Sequence, residues 1–357
     1  MTEWKEYKLG EIGTFGNGKV RPQKQGDIPI YGGNGILGYC DEYNYCGETI
    51  IVGRVGAYCG SVYYENRPIW VSDNALALKP KNNYNTKFIY YLLKKYNLNE
   101  YAEGSSHPLV TQTLLNAIEI IFTDDIEKQI RIAAILSSLD DKIELLHREN
   151  KTLEAMAETL FRQWFIEEAK EDWKEGKLGD EFEFIMGQSP SGESFNEEGA
   201  GIPMYQGNAD FGFRFPTKRI FTTQPTKFAE INDTLISVRA PVGAQNMAIE
   251  RCCIGRGVAA FRYKNNSLFC SYTYYKLKSL LNEIKQYNDN GTVFGSISKS
   301  DFENLDIVIP DKDTILNFQK QVKPIDDKII NNNNEIQTLI QTRDGLLSRL
   351  MSGEVKI

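Results

Sequence analysis

Residues 31–39 read YGGNGILGY and contain Gly33-Asn34-Gly35-Ile36-Leu37-Gly38, a literal G-x-G-x-x-G. That pattern can cradle a dinucleotide pyrophosphate, provided a strand precedes it and a helix opens on it. Here the following residues, YCDEYNYCGETIIVG, are rich in aromatic and turn residues and carry no helical period. The six cysteines (Cys40, Cys46, Cys59, Cys252, Cys253 and Cys270) include no C-x-x-C pair, and His107 and His147 are the only histidines. Metal ligands need close, convergent spacing, so no metal site is expected. The carboxylate pairs Asp140-Asp141 and Asp326-Asp327 could imitate a general acid/base couple, but side-by-side residues on a helix point apart. They are expected to be solvated or to face a partner protein. No P-loop, no G-x-S-x-G elbow and no Asp-Pro-Pro-Tyr or Asn-Pro-Pro-Tyr stretch occurs. No catalytic constellation emerges, and no cofactor is implied.

The elements that hold these residues come in two copies. WKEYKLGEI from Trp4 returns as WKEGKLGDE from Trp173, IPIYGGN from Ile28 as IPMYQGN from Ile202, and TIIVGR from Thr49 as TLISVR from Thr234. YYLLK from Tyr90 returns as YYKLK from Tyr274, NAIEIIFTDD from Asn116 loosely as ENLDIVIPDK from Glu303, and LDDKI from Leu139 as IDDKI from Ile325. One unit of about 175 residues is thus used twice. The alignment pairs Arg54 with Arg239. It also pairs Gly33 with Gly207 and Gly38 with Gly212, while Gly35 becomes Ala209. The turn survives in the second copy and the dinucleotide fingerprint does not. A tight surface loop in which glycine permits positive φ is the better reading.

Each copy ends in a heptad pattern. Between 125 and 166 the a-type positions are Leu136, Ile143, Asn150, Ala157 and Trp164, and the d-type positions are Leu139, Leu146, Leu153 and Leu160. The segment lacks Pro and Gly, and Asp124, Asp125 and Glu127 suit a helix N-terminus. At 1.5 Å per residue such a helix is ~60 Å long, which predicts supercoiling with a partner. The second copy supplies one, with Ile329, Ile336, Arg343 and Leu350 at a and Ile325, Asn332, Leu339 and Leu346 at d. Its first half is polar, with Pro324 near its start and an asparagine run at 331–334. Asn150 and Asn332 are seam residues expected to fix register. Between the helices, ETIIVGRVGAYCGSVYY, IWVSDNALAL, DTLISVRAPVG and GVAAFRY read as short strands, and KFIYYLLKKY and SYTYYKLKSLL as short helices. The expected fold class is α+β: two homologous mixed α/β domains, 1–123 and 170–310, separated by two long antiparallel helices, 124–169 and 311–357. The helices form a coiled coil with pseudo-two-fold symmetry.

Composition is that of an ordinary globular chain, 41% hydrophobic and 25% charged over 357 residues. The first 14 residues hold charges every few positions and no apolar run, and no stretch reaches the ~20 apolar residues of a membrane span. A soluble, cytoplasmic protein with reduced thiols and no membrane partner is expected. The net charge of −7 is concentrated: residues 124–172 carry 7 basic and 13 acidic side chains, whereas 1–123 carry 12 of each. The two large domains are near neutral and could present basic surfaces.

The repeated WKEYKLGEI opening, IIVGRVGAYCGSVYY, GSSHPLVTQTLLNAIEI, QIRIAAILSSLDDKIELLHREN with LFRQWF, NDNGTVFGSISKSDFENLDIVIP and the closing RDGLLSRLMSGEV together resemble the specificity subunits of type I restriction-modification systems. The resemblance covers essentially the whole chain. It implies two target-recognition domains on two conserved antiparallel helices, no catalysis by the subunit itself, and as partners double-stranded DNA, two methyltransferase subunits and, in the full complex, restriction subunits. A duplicated reader with non-identical halves would recognise a bipartite, asymmetric target with an unread spacer, and adenine methylation by the partners would require base flipping. A coiled-coil scaffold whose two domains bind ligands other than DNA is the alternative.

Base and phosphate contacts call for polar loop residues. In the first domain these are Lys19, Arg21, Lys24, Asn34, Arg54, Tyr58, Ser105, Ser106 and His107. In the second they are Gln188, Ser189, Ser191, Gln206, Asn208, Arg239, Arg256, Asn290, Thr292 and Ser296. Residues common to both copies, such as Arg54 and Arg239, are expected to serve the fold or phosphate, and differing residues to carry sequence.

Overall fold

The computed structural model describes residues 4–104, 108–264, 266–286 and 295–355. Two compact units divide the chain, one of residues 1–147 with 333–357 and one of residues 148–332. Each is mixed α/β, and each contains part of both long helices, Ile126–Arg162 and Lys312–Met351. A π-helical turn, Gln163–Glu167, extends the first helix. No helix among the described residues is long and apolar enough to cross a membrane.

The two units repeat one sheet plan. In the first, Gly13–Asn17, Ala75–Pro80, Thr49–Gly53 and Val62–Glu65 form an antiparallel four-stranded sheet in that order. In the second, Phe182–Met186, Val258–Tyr263, Thr234–Ser237 and Gln245–Met247 take the same places. A second sheet follows in each, built on Ile28–Gly32 paired in parallel with Trp70–Val71, and on Ile202–Tyr205 paired in parallel with Cys252–Ile254. Within Thr49–Gly53, the consecutive Ile50, Ile51 and Val52 are all apolar because both faces of the strand are covered. Ile50 and Val52 enter the main core with Phe88 and Leu92, while Ile51 enters a smaller cluster with Tyr31 and Val71.

Residues 31–39 form a β-hairpin. Ile28–Gly32 and Gly35–Cys40 pair antiparallel across the turn Gly33-Asn34, with Gly35 at φ 77°. A helix N-terminus, which the dinucleotide fingerprint needs, does not follow it.

The long helices begin alike. Asp125 accepts a hydrogen bond from the Lys128 amide at 3.1 Å, and Asp311 from the Thr314 amide at 2.9 Å. A cap of this kind contributes about 1 kcal/mol. Lys170 foremost, with the Thr314 amide, holds the Asp311 carboxyl well below its ordinary range. Pro324 lies inside the second helix, whose first turn is 12 residues earlier at Lys312, and directly precedes the first seam position, Ile325. In the first unit Ile132, Leu136, Leu350 and Met351 of these helices join the domain core. In the second unit Ala157, Phe161, Phe318 and Val322 do so. In the middle of the seam helix packs on helix: Ile143 and Leu146 on Ile336 in the first unit, and the Asn332 amide donating to the Asn150 carbonyl at 2.9 Å in the second. The helices run antiparallel within each unit, as the Asp140–Arg343 and Lys142–Glu335 pairs of the first and the Asn150–Asn332 and Phe161–Phe318 contacts of the second require.

The aspartate pairs correct the sequence reading. Asp140 and Asp326 are not simply solvated; each receives a tyrosine hydroxyl from the neighbouring short helix. Tyr91 on Thr86–Lys95 donates to Asp140 at 2.7 Å, and Tyr275 on Cys270–Ser279 donates to Asp326 at 3.1 Å. The cation differs: Arg343 of the second long helix bonds Asp140 at 2.7 Å, whereas Arg214, from a domain loop, bonds Asp326 at 2.8 Å. Arg214 is buried, with its guanidinium 3.3 Å above the Tyr274 ring and 3.6 Å from Glu154. Burial opposes its charge, but Asp326 foremost among its neighbours raises its affinity for the proton above the ordinary arginine value. Their sequence neighbours stay at the surface, Asp327 bonded to Lys323 and Asp141 exposed.

Asp326→Ala leaves Arg214 buried with the more distant Glu154 as its remaining carboxylate partner. A loss of about 3 kcal/mol is expected for the second unit in urea denaturation. Asp140→Ala, at a partly exposed pair, should cost about 1 kcal/mol in the first. Equal, small losses would show that the buried cluster does not pin the second unit.

Glu181 gives a pH prediction. Burial pushes its carboxyl up to about 7, against the Lys276 charge and the Tyr272 hydroxyl that donates to it at 2.8 Å. The folded chain therefore holds this proton more tightly than the unfolded one. The associated stability is complete below pH ~4 and is lost as pH rises through about 7. Thermal midpoints should fall between pH 5 and 8, and Glu181→Gln should flatten that fall; parallel profiles for the two proteins would contradict the assignment.

Candidate nucleic-acid interface

At one edge of the first unit, five connecting segments are fastened to one another through backbone hydrogen bonds. The Lys19 amide donates to the Val71 carbonyl at 3.0 Å, and the Asp73 amide donates back to Lys19 at 3.1 Å. Ser72 donates to Tyr31 at 2.8 Å, beside the Gly33-Asn34 turn. Arg54 donates to Asn74, and Val110 to Arg54, both at 2.9 Å. The backbone approach at Gly18 is so close that a Cβ would stand 1.7 Å from the Ser72 carbonyl oxygen.

The second unit repeats the ladder. Gln188 donates to Ile254 at 3.0 Å, Gly255 to Tyr205 at 2.8 Å, Val238 to Gly257 at 2.9 Å and Ile297 to Val238 at 3.1 Å. The Arg256 amide donates to the Ser189 hydroxyl at 3.2 Å. A Cβ at Gly187, the counterpart of Gly18, would stand 2.2 Å from the Gly255 carbonyl oxygen. A backbone-to-backbone frame of this kind leaves the loop side chains free to vary without disturbing the loop bases.

The ladder brings together the backbones of Lys19 and Arg54 in the first unit, and of Gln188 with the segments of Gln206, Arg239 and Arg256 in the second. Lys19, Arg21, Lys24, Asn34 and Tyr58 are exposed on the first unit, and Gln188, Ser191, Gln206, Asn208, Arg239, Arg256 and Ser296 on the second. Ser189 is half-buried. Lys24 pairs with Asp41 at 2.5 Å, and that bond holds the Asp41 carboxyl below its ordinary range. Ser105, Ser106, His107, Asn290 and Thr292 lie outside the described residues. The ladder adds members that residue type alone did not single out: Asn74, the Asn17–Gln112 side-chain pair at 2.8 Å, and Thr226, whose hydroxyl donates to the Gln188 carbonyl. The S-D-N and Q-P-T-K turns were the available signals.

The hydrogen-bond registers correct the pairing of Arg54 with Arg239. Gly53 stands opposite Ala75 at the end of its strand, as Ser237 stands opposite Val258, and Arg54 then occupies the place of Val238. Both of these residues receive the amide from the loop that closes the domain, Val110 in one unit and Ile297 in the other. Arg239 corresponds instead to Val55: each makes an isolated bridge to that loop, with Ser296 and Leu109 respectively. The side chains follow the pleat. Val238 lies in the main core and the Arg54 Nε is buried without a hydrogen-bond partner, while Arg239 and Val55 are exposed. The repeated arginine is a coincidence of letters one residue out of register.

The family model described as type I restriction modification DNA specificity domain matches residues 1–155 and 170–342. The chain is 30% identical over 366 residues to a Methanocaldococcus jannaschii protein named as the MjaX type I restriction enzyme specificity subunit, covering 95% of this chain and 83% of that one. It is 25% identical to the MjaIX specificity subunit of the same organism, covering 99% and 94%. The crystal structure of the type I restriction-modification S subunit from M. genitalium has the same fold, with a TM-score of 0.65 at 22% identity over 98% of this chain and 96% of that one.

Proposed function

The chain belongs to the type I restriction-modification specificity subunits, and from that premise we propose that it reads a bipartite, asymmetric duplex target without itself catalysing a reaction. Domains 1–123 and 170–310 are the two readers; 124–169 and 311–357 are the helical segments that carry them. The partners are two methyltransferase subunits, with restriction subunits in the full complex. The observation that carries this reading is the repeated backbone ladder, which presents a different set of side chains in each unit: Lys19, Arg21 and Asn34 in one, Gln188, Gln206, Asn208 and Arg256 in the other. Glutamine and asparagine suit adenine edges, arginine suits guanine or phosphate, and lysine suits phosphate. Two unlike readers select two unlike half-sites. Arg239, exposed beside the closing loop, serves phosphate; Arg54, with its Nε buried, serves the fold.

Mapping methylated adenines across the host genome with and without the gene should reveal one split, asymmetric motif that disappears on deletion. An unchanged methylation pattern would refute the reading and favour a scaffold with other ligands. At the level of single residues, Arg239→Ala in the complex with a methyltransferase subunit should weaken duplex binding for all sequences alike. It should also reduce the slope of log affinity against log salt by about 1. Arg54→Ala should leave that slope unchanged and cost about 1 kcal/mol of fold stability. The reverse assignment of the two effects would show that sequence letters, not register, define equivalence.

A further inference from the structure

The turn that carries Gln206 and Asn208 is built differently from its counterpart, and the difference singles out one buried residue. In the first unit the turn Gly33-Asn34 is closed by the hairpin itself: Gly32 and Gly35 face each other, Gly35 takes φ 77°, and the Tyr63 hydroxyl donates to the Gly33 carbonyl at 3.4 Å. In the second copy Ala209 stands in the place of Gly35, a residue that resists positive φ. The backbone there makes a single helical turn, Asn208–Asp210, and a side chain closes it.

That side chain is Asp210, buried to 3% exposure. Its Oδ2 accepts from the Gln206 amide at 2.6 Å and the Gly207 amide at 3.4 Å. Its Oδ1 accepts from Arg219 Nε at 3.1 Å and Nη2 at 2.6 Å. Two residues beyond Asp210, Gly212 exchanges two bonds with buried Asn246, which accepts its amide at 3.1 Å and donates to its carbonyl at 2.9 Å. Nothing in the chemistry of a surface turn requires a desolvated carboxylate. Its bonds run to the backbone of the two residues that lead directly into Asn208, and charge-assisted bonds of this sort define geometry more tightly than neutral ones.

We infer that Asp210, held by Arg219, is the positioning residue that fixes Gln206 and Asn208 for base recognition by the second domain. Specificity of that half-site depends on it, and specificity of the other does not. The inference rests on the DNA-reading function proposed above.

The test uses the full chain co-purified with a methyltransferase subunit, incubated with a pool of random-sequence duplexes, and sequencing of the duplexes retained. Wild-type protein should select a split motif. Asp210→Asn keeps the shape but removes the charge from the bonds to Gln206, Gly207 and Arg219. It should lower base discrimination in one half of the motif by about tenfold and leave the other half unchanged. Arg219→Lys loses the two-pronged clamp while sparing the buried carboxylate, and should relax the same half to a lesser degree. It decides the matter if Asp210→Asn does not fold, as judged by its thermal midpoint. A motif unaltered in both halves, or two halves weakened equally, overturns the positioning role. A wild-type protein that selects no motif takes down the DNA-reading function and this inference with it.

Discussion

An aspartate on a long helix, half-buried in the first unit and buried in the second, receives a tyrosine hydroxyl from the short helix packed on it, and each unit takes its geometry from that contact. Apolar packing along a helix tolerates sliding, because one leucine-lined groove resembles the next. A carboxylate in a low-dielectric site does not. Tyr91 reaches Asp140, and Tyr275 reaches Asp326, at one register only. The desolvation cost of such a pair offsets much of its attraction, so its net contribution to stability is modest while its loss is expensive. The clamp therefore determines where the short helix sits on the rod, and the strands that pack on the short helix follow.

The two clamps share their tyrosine and aspartate but not their cation. In the first unit Arg343 comes from the opposite long helix, so the clamp joins helix to helix as well as helix to domain. In the second unit Arg214 comes from the loop that continues from the Gln206–Asn208 turn, and it meets both Asp326 and Glu154, one on each long helix. There the clamp ties a candidate reading loop to the rods through a fully desolvated guanidinium. Asn150 and Asn332, bonded to each other in the same unit, add a second polar register mark.

What could be read from the letters was what depends on local pattern. The β-branched runs became strands, the heptads became helices, and the two asparagines met on the seam as their heptad positions required. The glycine turn proved to be a hairpin because the residues after it had no helical period. The limits came from partners remote in sequence. Asp326 looked like half of a solvated pair because Arg214, 112 residues away, gave no hint that it would be buried. Pro324 marked the polar start of the weaker seam, and the helix passes through it, supported by Phe318, Val322 and Ile329 in the core of the second unit. Asn17 and Gln112 are 95 residues apart and meet only because their strand and helix lie side by side.

The arginine misalignment shows why hydrogen-bond register is the firmer guide to equivalence after duplication. Side chains at a loop base can drift by one position without cost if the amide at each rung still finds its carbonyl. A shift of one residue then moves a side chain from the core face to the outer face of the pleat. Arg54 and Val238 share a rung and point inward; Val55 and Arg239 share the next and point outward. The duplicated framework thus conserves donors and acceptors of the main chain, while the side chains on it diverge freely. A surface that must recognise different ligands on an unchanged scaffold requires that division. The exchange of Gly35 for Ala209, with a buried carboxylate taking over the closing of the turn, is the same division seen at a single loop.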